Sequence, residues 1–133
     1  MDQMSCIFDI TWSTQIEYTD EKKGEIPKEE GVYEIQGYVA NRNEYTRRYV
    51  GRTDDLQRRF GEHLLNNEPN EKLKKFLNEK KAYFRYTKTE NESMSKDIEN
   101  GLYDIYRHTC NDPEKPPAGS GNCQKISINE SNP

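Results

Sequence analysis

The chain is poor in what most small folds lean on. Of 133 residues, only 31% are hydrophobic, against 33% charged. A large aliphatic core is therefore excluded, and a domain of this size has little stability to spare. Large tyrosines in strands are one way to fill such a core. No apolar run approaches the roughly 20 residues that span a bilayer, so no membrane is expected as a partner. The start, MDQMSCIFDITW, has no basic region followed by an apolar one, so a secretory signal is not expected. A cytoplasmic location follows as the expectation. There are 3 cysteines and 2 histidines. Cys6, Cys110 and Cys123 lack the CxxC spacing of a zinc ribbon or redox pair. His108, Cys110 and Cys123 are read as incidental rather than as a metal set. An odd cysteine count in a cytosolic chain points to free thiols. Net positive charge is also missing: the balance is −4. That disfavours indiscriminate coating of DNA, but not a local site, since fields act within about a Debye length.

Against this background one stretch stands out. GVYEIQGYVANRNEYTRRYVGRTDDLQRRFGEHL, from Gly31 to Leu64, gathers arginines, tyrosines and one of the two histidines. VYEIQGYV and YTRRYVG are β-rich, and ANRNE between them carries turn residues, so a hairpin is predicted. With its tip centred on Asn41, Tyr33 faces Tyr49 across the strands. Arg47 and Gly51 then share the face of Tyr49 by the period of two. A slip of one residue would reverse this.

In the helix that follows, Leu56, Phe60 and Leu64 recur every four residues. Thr53 or Asp54 can cap its start, and Asp55 complements the positive end. Arg59 and His63, four apart, lie on one side of it. Gly61 inside this helix costs about 1 kcal/mol against alanine unless it admits a close approach. EKLKKFLNEKK predicts a second helix with Leu73, Phe76 and Leu77 inward. AYFRYTK predicts a third strand. SMSKDIENGLYDIYRHT predicts a last helix, with Met94, Ile98, Leu102 and Ile105 as its stripe and Glu99 beside it. Upstream, Phe8, Ile10 and Trp12 alternate as a short strand would. Residues 1–25 read as an N-terminal extension and 26–111 as one α+β domain. Residues 112–133 read as an irregular Gly/Pro-rich tail, with no room expected for a second domain.

The grouped residues suit phosphodiester chemistry. A guanidinium offsets phosphate charge. Hydrolysis needs a base for water, and a metal on a carboxylate can hold charge on the leaving oxygen.

GVY at 31–33 followed by YVG at 49–51 resembles the paired signatures of the GIY-YIG nucleases. RTDDLQRRFGEH, with Leu56, Arg59 and His63, is similar to the family's helix. IENGLYDIYRHTCN, with Glu99 and Asn111, is similar to its metal-binding segment, although His108 stands where many members have proline. The resemblance spans roughly residues 26–111.

The resemblance implies a small three-stranded antiparallel sheet with helices on both sides, and allows one extra N-terminal strand. It implies a metal-dependent DNA endonuclease. Tyr33 would be the general base, its pKa lowered by nearby cations. Tyr49 would bond phosphate or water. Arg59 would hold the phosphate, His63 would move protons or orient Tyr33, and Asn111 would complete the site. Glu99 would bind one Mg²⁺ or Mn²⁺. Arg47 and Arg52 would add phosphate contacts. DNA is the expected partner, and a homodimer is an option, since cutting both strands often takes two sites. The alternative is a module that binds nucleic acid or protein without cutting.

Overall fold

The computed structural model describes residues 4–64 and 68–133, except for the Leu64 side chain. Expectations placed on that side chain, on 1–3 and on 65–67 lie outside the described residues. The elements run β1 (Ser5–Thr11), β2 (Ile16–Glu17), β3 (Gly31–Val39), β4 (Glu44–Thr53), α1 (Leu56–Leu64), α2 (Glu71–Glu79), β5 (Tyr83–Lys88), α3 (Glu92–Tyr106) and β6 (Lys125–Ser131). The main sheet has four strands, ordered β2-β5-β3-β4. All its pairings are antiparallel. The three expected strands are there, and the short β2 adds a fourth from the N-terminal region.

β3 lies between β5 and β4 and is buried from Gly31 to Gly37. Its alternation explains the two cores. Tyr33 and Ile35 face one way and pack with Phe60, Leu73, Phe76 and Phe84. Val32 faces the other way and packs with Val50, Ile98, Leu102 and Trp12. Thus α1 and α2 cover one face and α3 the other. The stripe of α3 is shorter than expected: Tyr103 is buried, whereas Ile105 is 52% exposed.

Polar residues on the second face are satisfied in pairs. Glu34, fully buried, accepts from Arg85 Nε at 2.8 Å, from His108 Nε2 at 2.7 Å and from Arg47 Nη1 at 3.1 Å. A buried carboxylate needs such partners.

Two expectations are corrected by the chain ends. The tail after Asp112 contains β6, which pairs in parallel with β1 from Ser5↔Lys125 to Thr11↔Ser131. Its composition hid the strand, because ISI supplies only a short apolar alternation after many Gly and Pro residues. This pair packs on α3 where a Cβ on Gly101 would stand 2.7 Å from Ile128. The cysteines are not all free: Cys6 and Cys123 form a disulfide, and Cys110 alone is a thiol, buried.

Candidate active site

The register of the hairpin departs from the expected one. Tyr33 stands opposite Gly51, and Tyr49 opposite Ile35. The reason is a β-bulge: the register shifts between Ile35 and Gln36, so Gln36 pairs with Arg47 and Arg48 is the extra residue. Tyr33 and Tyr49 still share a face, as diagonal neighbours with ring centroids 6.1 Å apart. The tip turns through Asn43 in the left-handed region, at φ 52°, which asparagine tolerates.

Gly51 has a steric task. A Cβ there would lie 2.3 Å from the Tyr33 hydroxyl. The Tyr33 ring crosses β4 only because this position has no side chain, and it stacks on Phe84 at 5.3 Å.

The bulge also moves Arg47 out of the site. Arg47 faces α3 instead, bonds to Glu34 and Glu130 at 3.1 and 2.8 Å, and lies 3.6 Å over the Tyr106 ring. It is not available to a phosphate beside Tyr33.

α1 is set down beside the hairpin by its N-terminus. Its free N–H groups find Glu29 O at 2.9 Å and Pro27 O at 3.1 Å. Asp55 accepts from Arg58 N at 3.0 Å. These bonds satisfy donors every helix start leaves open. Leu56 and Phe60 then fix the rotation, and Arg59 and His63 overlook Tyr33.

Arg59 Nε donates to the Tyr33 hydroxyl at 3.2 Å. The hydroxyl also meets His63 Nε2 at 2.7 Å. With Arg59 donating, the Tyr33 proton points to His63. Nε2 is then the acceptor, and the imidazole carries its proton on Nδ1. Nδ1 bonds the Glu68 carboxylate. Glu68 is itself held by Asn70 N at 3.1 Å. A carboxylate, a histidine and a tyrosine thus stand in series. Glu68 was not foreseen; it lies beyond the last periodic residue of α1, where spacing carries no signal.

Electrostatics corrects one expectation. Burial pushes the Tyr33 phenol well above its usual range, and the Arg59 charge only partly opposes this. Tyr33 is 1% exposed, so desolvation wins. Burial likewise raises Tyr49, helped by the charge of Glu99 and opposed by Arg59. Burial lowers His63 against the pull of Glu68, which keeps it neutral.

Glu99 comes from the opposite layer, on α3. Its side chain is 14% exposed and has Arg52 Nε at 3.8 Å as its ion pair. Burial pushes its pKa up to about 7 despite Arg52. Arg52 also stands 3.8 Å from Glu92. Arg52 and Arg59 line one cleft of about 530 Å³ together with Glu62 and Glu92.

Asn111 acts on the strand rather than in the cleft. Its side chain accepts from Val50 N at 2.9 Å and donates to Val50 O at 3.0 Å. β4 is an edge strand, and Asn111 supplies the bonds a neighbouring strand would give. Next to it, Cys110 N donates to Arg48 O at 2.6 Å. Asn70 Nδ2 donates to Cys110 O at 2.8 Å. The segment therefore fastens the bulge beside Tyr49.

The donor set fits a single hard cation. A poorly compensated carboxylate in a largely buried setting favours a divalent ion over a bare charge, and Mg²⁺ commonly takes one or two carboxylates with water and phosphate. No cluster of three or more His, Cys, Asp or Glu suited to a metal occurs among the described residues. That argues against a cage made wholly of protein ligands.

The chain belongs to the GIY-YIG catalytic domain family, whose profile matches residues 30–111. Among solved structures it is similar to the GIY-YIG N-terminal endonuclease domain of UvrC from Thermotoga maritima bound to its catalytic divalent cation, magnesium. That match has 24% identity, covers 69% of this chain and 93% of that one, and has a TM-score of 0.55. A tyrosine point mutant of the same domain, also with its catalytic divalent cation, matches at 23% identity with a TM-score of 0.54, covering 71% of this chain and 99% of that one. At these identities the likeness speaks for the fold. No curated protein sequence matches the chain. No helix among the described residues is long and apolar enough to cross a membrane.

Proposed function

We propose that this domain is a metal-dependent endonuclease that hydrolyses DNA phosphodiesters, with Tyr33 as general base and Glu99 as metal ligand. The observation that carries this is the series Tyr33, His63 and Glu68, with Arg59 on the same hydroxyl.

A phenol this buried is a poor standing phenolate. It works instead as a relay. The attacking water gives a proton to the Tyr33 oxygen while the Tyr33 proton moves to His63 Nε2. Glu68, on Nδ1, stabilises the imidazolium that forms, as the third member of any such triad does. The water oxygen bonds to phosphorus, one P–O ester bond breaks, and the leaving oxygen is protonated from solvent. Arg59 and Arg52 hold the phosphate by charge-assisted hydrogen bonds. Tyr49, half-buried, orients the water or a phosphate oxygen. Asn111 keeps β4 in place under both tyrosines. Glu99 would hold one Mg²⁺ or Mn²⁺, which when bound offsets charge on the phosphate and leaving oxygens.

The test is purified protein with plasmid, branched and single-stranded DNA in Mg²⁺ or Mn²⁺. Cleavage should vanish with Tyr33→Phe and Glu99→Gln. Full cleavage by Glu99→Gln would sink the metal role. Salt-sensitive DNA binding with no cleavage of any substrate would favour a binding module instead.

A further inference from the structure

The hairpin extends past the part of the sheet that α3 covers. On the uncovered end, Tyr38 stands directly opposite Tyr45, and Tyr83 of β5 pairs with Gln36. The three rings share one face, with centroid separations of 5.0, 5.2 and 6.3 Å. Tyr38 and Tyr45 are 40% and 41% exposed, in a chain with little hydrophobic material to spare for its surface. Hairpin pairing accounts for Tyr38 and Tyr45 alone. It does not account for a third ring from another strand.

Cations surround the rings. Arg48, Lys80 and Lys81 line a cleft of about 150 Å³ with Tyr38 and Tyr83. Arg48 and Lys80 make no ion pair among the described residues. Lys81 has only an exposed one, to Glu17 at 3.7 Å. Open ring faces beside free cations suit a ligand that carries both flat π-faces and negative charge. Single-stranded nucleic acid is that ligand, because its bases stack on aromatic side chains and its phosphates meet the cations. A duplex hides its base faces. An acidic peptide would meet the cations but leave the ring faces unused.

We propose that Tyr38, Tyr45 and Tyr83 form a platform that stacks the unpaired bases of a DNA arm, so that the domain prefers tailed or branched DNA to blunt duplex. This rests on the endonuclease reading for its substrate. The platform is about 17 Å along β3 from Tyr33, at five residues of extended strand. It therefore lies apart from the cleft, within reach of an arm leaving a duplex held there.

The experiment measures fluorescence anisotropy in EDTA with a blunt duplex, the same duplex bearing a single-stranded tail, and the tail alone. The variants are Tyr45→Leu/Tyr83→Leu, which keeps apolar bulk, and Arg48→Gln/Lys80→Gln. Thermal melts establish that both fold. In the parent the tail should add on the order of 10- to 100-fold in affinity, and both variants should lose most of that gain. Cleavage of blunt duplex in Mg²⁺ should match the parent. No gain from the tail overturns the proposal, as does a gain the variants retain. A changed sedimentation coefficient with unchanged DNA affinity makes this face a contact between copies, and overturns it too. A parent that binds tails through the tyrosines yet cuts nothing leaves the platform standing and removes the nuclease reading.

Discussion

Replacing Glu99 by glutamine should stabilise the metal-free protein while abolishing cleavage. The Glu99 side chain is 14% exposed and its only ion pair is at 3.8 Å. Burial raises its pKa from 4.5 to about 7. Between those values the folded chain holds a proton that the unfolded chain has released. Stability therefore falls as pH climbs from about 4.5 to about 7 and then levels off. At 1.36 kcal/mol per tenfold change in proton affinity, the loss is on the order of 3 kcal/mol. Glutamine has the same shape and never ionises, so it escapes that loss. The two proteins should melt alike near pH 4.5. By pH 8 the gap should open to roughly 10 °C, since 1 kcal/mol moves a domain of this size by about 3–5 °C.

The assay is thermal melting in EDTA at pH 4.5 and pH 8, followed by circular dichroism. Taking the difference between variant and parent cancels every other titrating group. A gap that does not change with pH, or a parent more stable than the variant at pH 8, refutes the reasoning. Adding Mg²⁺ at ten times its Kd should return about 1.4 kcal/mol to the parent. The same addition should do nothing for Glu99→Gln. A carboxylate that weakens the empty fold and strengthens the loaded one is the expected signature of a ligand.

Glu68→Gln should slow cleavage about a hundredfold with little change in KM. It should also move the His63 imidazole titration, followed by NMR, to lower pH, because the Glu68 charge raises that pKa; an unmoved titration contradicts the relay. Glu34→Gln strips the buried Arg85 and its neighbour Arg47 of their shared carboxylate. The loss should be about 3–5 kcal/mol at pH 7 by urea denaturation. Although burial would raise the Glu34 pKa, His108, Arg85 and Arg47 hold it below the usual value. Its stabilisation is therefore present above about pH 4.5 and should fade as acid titrates it, closing the gap between variant and parent. Cys6→Ser/Cys123→Ser opens a link across a sequence separation of 117 residues. Chain entropy sets the loss at no more than about 5 kcal/mol; a parent whose urea midpoint ignores reductant would contradict this.

Much of the fold was legible because local pattern and tertiary role agree. Leu56 and Phe60 recur at helical spacing, and both are fully buried. Asn91 precedes α3 and caps it by accepting from Met94 N at 2.9 Å. β6 was not legible, since its partner β1 lies at the other end of the chain and parallel pairing leaves no turn to read. The disulfide followed the same route: only the β1–β6 register brings Cys6 and Cys123 together. Ile105 kept the helical spacing but lies where α3 has left the sheet, so periodicity placed it inward and the packing did not.

The site divides by whether one element or several set each side chain. Arg59 and His63 follow from a single helix, and their common side was readable. Tyr33 and Tyr49 depend on a register between strands, and the bulge at Arg48 changes their relation from opposite to diagonal. That one inserted residue also decides the two arginines. Before it, Arg47 turns to Glu34 and Glu130 and stabilises the far core. After it, Arg52 reaches Glu99 and Glu92 beside the cleft. Alternation alone gave Arg47 the face of Tyr49, because nothing in YTRRYVG marks which residue is extra. What fixes the bulge is remote: Cys110 N on Arg48 O and Asn111 on both polar groups of Val50. Asn111 is therefore needed for the tyrosine pair without touching the reacting atoms. Its replacement by alanine should disturb Tyr49 first, as the half of the pair that lies on the released strand.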